Sequence, residues 1–299
     1  MYTTRNIVDQ YGGTMKGRDW ALTSCPVCQS SGREDQRALS VRDGANGNLL
    51  LTCHKSNCSF LDIVKAWNLP RPTEKPKPDP DAIKAAEADA AKRRDNARDI
   101  WKQTHKIAGT PSSVYLRSRG LRVQPHNHII RHHSLCPHPS NTRLPAMVAR
   151  IQGPDDSGLG IHRTFLTPDG AKTDRDPQKA TLGTFMGGAV RLGNRRPTHL
   201  AIGEGIETCL AFWQLYKVDA WSCLSTAGIV NFDPPPFVEA IALLMDDDVS
   251  GAGAEACEKA AFGLRRRGYL VRVKKPDPGF ADFCDQLNGI KRDDRKAGP

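Results

Sequence analysis

The sequence predicts an α/β fold: a mainly parallel sheet with helices on both faces in the last third of the chain, preceded by an α+β subdomain and an N-terminal cysteine-bound ribbon. Three observations predict it. From about Pro197 short apolar runs alternate with helical patterns, as in βαβ units. Between about Pro111 and Gly193 strand patterns and turn signals dominate. Before Pro70, four of the nine cysteines stand in two short-spaced pairs.

The order of elements follows from local pattern. Residues 1–70 carry Cys25-Pro-Val-Cys28 and Cys53-His54-Lys55-Ser56-Asn57-Cys58, with Ala38 to Val41 and Leu49 to Thr52 as strands between them. Two knuckles of this spacing can close a tetrahedral thiolate site around Zn²⁺, and so small a segment needs the metal for stability. The open detail is the fourth ligand: Cys53 is taken and its neighbour His54 left as second choice, because adjacent side chains rarely point into one site. Arg33, Arg37, Arg42 and Lys55 decorate the ribbon and make template contact an alternative to a pure scaffold role. Trp20 and Trp67 suit base stacking but, beside a small core, are read as packing residues.

Residues 71–108 form a proline-rich linker and an exposed helix from Asp81 to about Lys106, which docks only through Ile100, Trp101 and Ile107. Residues 109–196 contain the strands Ala146 to Ile151 and Gly160 to Leu166, around the turn at Pro154 to Gly158. Residues 197–287 give strands at His199 to Ile202, Ala220 to Leu224, Ile241 to Met245 and Tyr269 to Lys274. Helices follow at Ile206 to Tyr216 and Gly253 to Arg267. Residues 288–299 read as a disordered polar tail. Cys136, Cys209, Cys223, Cys257 and Cys284 are scattered and read as small core or surface residues.

The 299 residues carry a formal net charge of +10, which favours a nucleic-acid partner. No apolar stretch approaches a membrane span, and no signal peptide is recognisable; a cytoplasmic protein in a bacterial or phage-infected cell is expected. Against this basic background, acid is clustered where buried strands stop. Glu204 and Glu207 follow Leu200-Ala201-Ile202; Asp246-Asp247-Asp248 follows Ile241 to Met245; Asp282 and Asp285 follow the last strand. Carboxylates at the C-terminal ends of neighbouring strands face one cleft and repel unless a cation sits between them. Asp246 and Asp248 alternate onto the same side and Asp247 faces away. Glu207, one turn into a helix, is read as favouring the helix dipole.

The Glu-Gly after an apolar strand, the Asp-x-Asp-x-x-Gly after a later one and the closing Asp-Phe-x-Asp resemble the Toprim fold over residues 197–287. With the zinc ribbon in front, the order resembles DnaG-type primases of phages and plasmids. Tyr115 to Leu121, Gly160 to Phe165 and Lys179 to Gly183 resemble blocks that precede Toprim in such proteins. The resemblance implies a DNA primase making short RNA primers on single-stranded DNA from nucleoside triphosphates. Glu204, Asp246, Asp248 and Asp282 would hold Mg²⁺ or Mn²⁺ and carry the catalysis, with Asp285 in reserve. Arg117, Arg119, Arg163, Lys179 and Arg191 would contact nucleotide or template. No phosphate loop is found, so any helicase motor would be a separate partner. A Toprim nuclease and a catalytically silent single-strand-binding accessory protein are the alternatives.

Overall fold

A computed structural model describes residues 2–29, 37–44, 48–56, 58–69, 80–122, 128–193, 196–246 and 252–292. Arg33, the linker at 70–79, Asp247, Asp248 and the tail from 293 lie outside the described residues. The chain divides into two compact units, Met1–Ala88 and Asp89–Pro299.

In the first unit Thr3 caps α1 (Thr4–Tyr11) in a reciprocal box with Asn6. Strands β1 (Thr14–Met15), β2 (Trp20–Thr23), β3 (Leu39–Asp43) and β4 (Leu49–Cys53) form an antiparallel sheet in chain order. Ser59 caps α2 (Phe60–Ala66). The core is small: Ile7, Leu39, Val41, Ile63, Val64 and Trp67 close on Cys25 and Cys53. Trp67 is buried and stacks on Tyr11 with ring centroids 5.0 Å apart, so it packs and presents no face to a base.

In the second unit α3 (Pro80–Lys102), which runs across the division, and α4 (Pro111–Ser118) precede a four-stranded antiparallel sheet. Its strands are β5 (Ile130–Pro137), β6 (Arg143–Gln152), β7 (Gly158–Phe165) and β8 (Lys179–Gly183), in that order. Alternation along β6 sorts its residues to two faces. Ala146 and Val148 meet Ala97 and Ile100 of α3. Met147, Ala149 and Ile151 join Tyr115 and Leu116 of α4 in the large core shared with the C-terminal sheet.

That second sheet runs β13-β12-β10-β11-β9. It comprises β9 (Val190–Leu192), β10 (His199–Gly203), α5 (Ile206–Tyr216), β11 (Ala220–Ser222), α6 (Thr226–Val230), β12 (Ala240–Leu244), α7 (Ala252–Arg266) and β13 (Leu270–Lys274), and ends with α8 (Phe283–Asn288). Every pairing is parallel except β9 on β11, so the sheet is mixed by one edge strand. Leu200 and Ile202 pack toward Ile229, Ala260 and Leu264 of α6 and α7; Ala201 faces Leu210 and Phe283 of α5 and α8. Helices thus cover both faces, as the βαβ pattern requires. β9 lies in the segment read as belonging to the preceding subdomain. Its three residues, all buried, give too short a run for sequence periodicity to assign to a sheet.

Candidate functional site

Ala201, Ile202 and Gly203 pair in parallel with Ala220, Trp221 and Ser222, and Ile202 pairs with Leu243 of β12. Glu204 and Asp246 therefore leave neighbouring strands at the same sheet edge, strands that stand about 4.8 Å apart. The Glu204 backbone is pinned: its carbonyl accepts from the Ser222 hydroxyl at 2.7 Å and from the Leu224 amide at 3.0 Å. Gly203 admits this approach. A Cβ there would stand 3.1 Å from Cys209 Sγ and 3.2 Å from Leu244 Cβ. Gly203→Ala is expected to lower the melting temperature, at a cost of about 1–3 kcal/mol for overpacking, and to displace Glu204; thermal unfolding checks the first effect.

Glu204 is exposed and Asp246 half-buried. The Thr208 hydroxyl on α5 donates to Asp246 Oδ1 at 3.5 Å. Both carboxylates act on Cys257 of α7, whose thiol is raised to about 11 by burial first and then by these two charges. Asp248 lies outside the described residues. Asp282 is the N-cap of α8, accepting from the Asp285 amide at 2.7 Å, and Asp285 is buried. Arg119, half-buried over the Tyr115 ring at 5.9 Å, lies within electrostatic range of Glu207 and Asp282. Among the described residues, only the four ribbon cysteines bring three or more metal-ligating atoms within 4.8 Å of one another. The strand-end acids are a set of hard carboxylate oxygens, which suits a Mg²⁺-like ion by donor chemistry.

The first turn of α5 also carries a residue whose role the sequence did not reveal. Glu207 is buried, with 7% of its surface exposed. Its carboxylate accepts the Tyr115 hydroxyl at 2.6 Å and Lys179 Nζ at 3.1 and 3.2 Å. Burial alone would raise its pKa. The Lys179 charge and the Tyr115 hydrogen bond outweigh burial and bring it down to about 2. Beside it burial, then Lys179, depress His162 to about 4, so this imidazole, 3.3 Å from Thr181 Oγ1, is neutral at pH 7. Burial followed by Lys179 also lowers Lys172. Tyr115 stands 92 residues from Glu207, so no local pattern announces the pair. The helix-dipole reading of Glu207 describes its position on α5 but not this ion pair.

The expected basic residues divide. Lys179 keeps 37% of its side chain exposed, Arg119 is half-buried and Arg117 is exposed. Arg163 and Arg191 are buried. Arg163 Nη1 donates to the Pro137 carbonyl at 2.8 Å. Arg191 pairs with Asp156, donates to the Gly153 carbonyl and lies 4.6 Å over Trp221. These two guanidiniums tie down backbone, Arg163 at the end of β5 and Arg191 at the turn after β6, because β7 and β9 turn them inward.

In the first unit the four cysteine sulfurs lie within 4.8 Å of one another, with Cys28 Sγ and Cys53 Sγ at 3.5 Å. Burial pushes the Cys53 thiol up, but the backbone N–H groups of Ser56, Cys58 and Lys55 outweigh it and bring it down to about 6. Gln29 Oε1 braces the first knuckle by accepting from Cys25 N at 3.0 Å and Ala38 N at 3.1 Å. His54 is exposed, with Nε2 3.1 Å from Ser40 Oγ, and stands outside the cluster. The donor set fits a tetrahedral thiolate-bound ion.

Comparison with known proteins adds two family matches: a domain of unknown function over residues 91–192 and a Toprim domain over 199–289. No curated protein matches. Among solved structures, a DNA primase domain from Pseudomonas aeruginosa is 16% identical, with TM-score 0.36, covering 56% of this chain and 55% of its own. A DnaG catalytic core is 15% identical, with TM-score 0.44, covering 70% and 78%. The RNA polymerase domain of the Mycobacterium tuberculosis primase DnaG is 16% identical, with TM-score 0.35, covering 60% and 60%. This chain thus spans little more than half of the Pseudomonas domain. Among the described residues no helix is long and apolar enough to cross a membrane. The mainly parallel sheet covered by helices on both faces coincides with the family match: residues 199–289 have the fold of a Toprim domain.

Proposed function

We propose that this protein is a primase-type nucleotidyltransferase that makes short RNA primers on single-stranded DNA, in the replication of a phage or other mobile element. The observation that carries the reading is the emergence of Glu204 and Asp246 from neighbouring parallel strands, with Glu204 just before the helix that carries Glu207 of the Lys179–Glu207 pair. Asp248 and Asp282 complete the proposed carboxylate set. A Mg²⁺ or Mn²⁺ ion bound there supplies neutralisation of the triphosphate and of the departing pyrophosphate.

The chain's own residues do the rest. The 3′-hydroxyl oxygen of one nucleotide bonds to the α-phosphorus of the next, the bond to pyrophosphate breaks, and Glu204 takes the hydroxyl proton. Lys179 and Arg119 meet the phosphates, and the exposed Arg117 meets the template backbone. Thr208 orients Asp246 through its hydroxyl. The cysteine centre holds a structural Zn²⁺ and fixes the ribbon that presents Arg37, Arg42 and Lys55. A replicative helicase is a separate partner.

The test is primer synthesis by the full chain on mixed-sequence single-stranded DNA with labelled nucleoside triphosphates and Mg²⁺ or Mn²⁺. Wild type is expected to give short RNA products. Asp246→Ala, Asp248→Ala protein is expected to lose at least ~100-fold in rate, by analogy with other lost electrostatic stabilisation, while binding the strand normally. No product from wild type with the template intact and bound overturns the reading in favour of an accessory protein; a cut template overturns it in favour of a nuclease.

A further inference from the structure

The antiparallel sheet has a second charged face, turned away from the Toprim domain. On α3, Arg94, Ala97, Arg98 and Trp101 recur at three- and four-residue intervals and so share one stripe. Ala97 is buried against Ala146, Val148 and Ile161 of the sheet, which brings the stripe down onto β6 and β7. Arg150 follows Ala146 and Val148 on the same side of β6, and Ile161 pairs with it across the strand gap. Arg131 of β5 pairs with Val148 and lies 5.2 Å over the Trp101 ring.

The result is a cavity of about 330 Å³ lined by Arg94, Arg98, Trp101, Arg150, Gly158 and Ile161. Gly158 matters to its shape, since a Cβ there would stand 3.2 Å from Arg150 Nη2. The acid paired within this set is Asp95, 2.8 Å from Arg98, with both side chains 63% exposed. Such a surface pair is worth at most about 1 kcal/mol and yields readily to a phosphate.

We propose that this groove is a second contact for single-stranded nucleic acid, separate from the acidic site. Guanidinium forks match phosphate oxygens in pairs. An indole set among them gives a base a stacking platform, which a duplex, with its bases already stacked, cannot use. Charge complementarity therefore selects a polyanion, and Trp101 selects the unpaired form. Calling the bound strand the template rests on the primase reading; the binding itself does not.

The experiment measures Kd for a fluorescein-labelled mixed-sequence single strand by anisotropy, on the full chain, over stepped KCl concentrations. Arg94→Ala, Arg98→Ala, Arg150→Ala protein is expected to bind more weakly, with a log–log salt slope shallower by about 2, from roughly 0.7 for each phosphate no longer neutralised. The matching triple lysine variant is expected to recover the slope. Trp101→Leu is expected to bind roughly 10-fold more weakly at unchanged slope.

Unchanged Kd and slope in the alanine variant overturn the proposal. So does a lysine variant that fails to recover while melting lower than wild type, since the loss is then structural. Equal displacement of the labelled strand by duplex overturns the single-strand assignment. Primer synthesis at saturating template is measured alongside. A chain that makes no primers but binds through the groove removes the primase reading and leaves this one; one that makes primers with an unaltered Kd does the reverse.

Discussion

Chelating a metal out of the cysteine centre is expected to unfold the first unit and to leave the Toprim domain folded. Cys25 and Cys53 are members of the first unit's core, alongside Ile7, Leu39, Val41, Ile63, Val64, Trp67 and Leu69. A core of that size does not offset the chain entropy of about sixty ordered residues without a staple. Metal binding to such sites contributes about 10–16 kcal/mol at pH 7, as much as the whole stability of an ordinary domain. Without an ion, Cys53 carries a thiolate beside three other sulfurs, since its pKa lies at about 6.

EDTA, or Cys53→Ser, is therefore expected to abolish amide hydrogen-exchange protection in β2, β3 and β4. Protection in β10 and β12, inside a separate compact unit, stays. One equivalent of Zn²⁺ released to a chromogenic chelator identifies the ion. Retained protection in β3 and β4 after complete release would show that the ribbon folds on its apolar core alone. His54→Ala is the control and should change neither measurement, because His54 bonds Ser40 outside the cluster.

What could be read from the sequence was local. The cysteine spacing and the apolar runs before Glu204 and Asp246 each sit within a dozen residues and obey fixed periods, and β3, β4, β10 and β12 follow from them. Glu204 and Asp246 stand out in the sequence because a carboxylate directly after a buried run is unusual. The fate of each arginine was not legible. Arg163 and Arg191 look like surface charge in the sequence, but strand alternation in β7 and β9 buries them, and the backbone carbonyls of Pro137 and Gly153 accept their hydrogen bonds. The Tyr115–Glu207–Lys179 network spans α4, α5 and β8, and only the packing of the sheet against α5 brings those three together. Long-range polar pairing of this kind leaves no periodic trace.

Glu207→Leu is expected to destabilise the second unit by about 3–5 kcal/mol, the usual cost of stripping the partner from a charge at a largely dry site. Most of that cost falls on what remains: the Tyr115 hydroxyl, donating to Glu207 at 2.6 Å, loses its acceptor, and Lys179 loses its counter-ion. Lys179→Met leaves the more costly orphan, because Glu207 is the buried end of the pair and Lys179 the partly exposed one. The double variant, with both charges gone, is expected to be more stable than Lys179→Met alone, and urea unfolding of the four proteins measures the coupling.

The same pair sets an acid limit. A carboxyl lowered from 4.5 to about 2 on folding contributes about 3 kcal/mol that is present above pH 4.5 and lost as pH falls toward 2. His162, lowered from 6.5 to about 4, acts in the same direction: the unfolded chain takes its proton first, so stability falls between pH 6.5 and 4. Wild-type stability should therefore rise from pH 3 to pH 7, and Glu207→Leu should remove the carboxyl part below pH 4.5; the histidine part persists and extends to lower pH, because the Glu207 charge that holds His162 up is gone. An unaltered acid limb in that variant would mean that Glu207 is ion-paired as strongly in the unfolded chain as in the folded one, and that Lys179 is held in place by something other than this carboxylate.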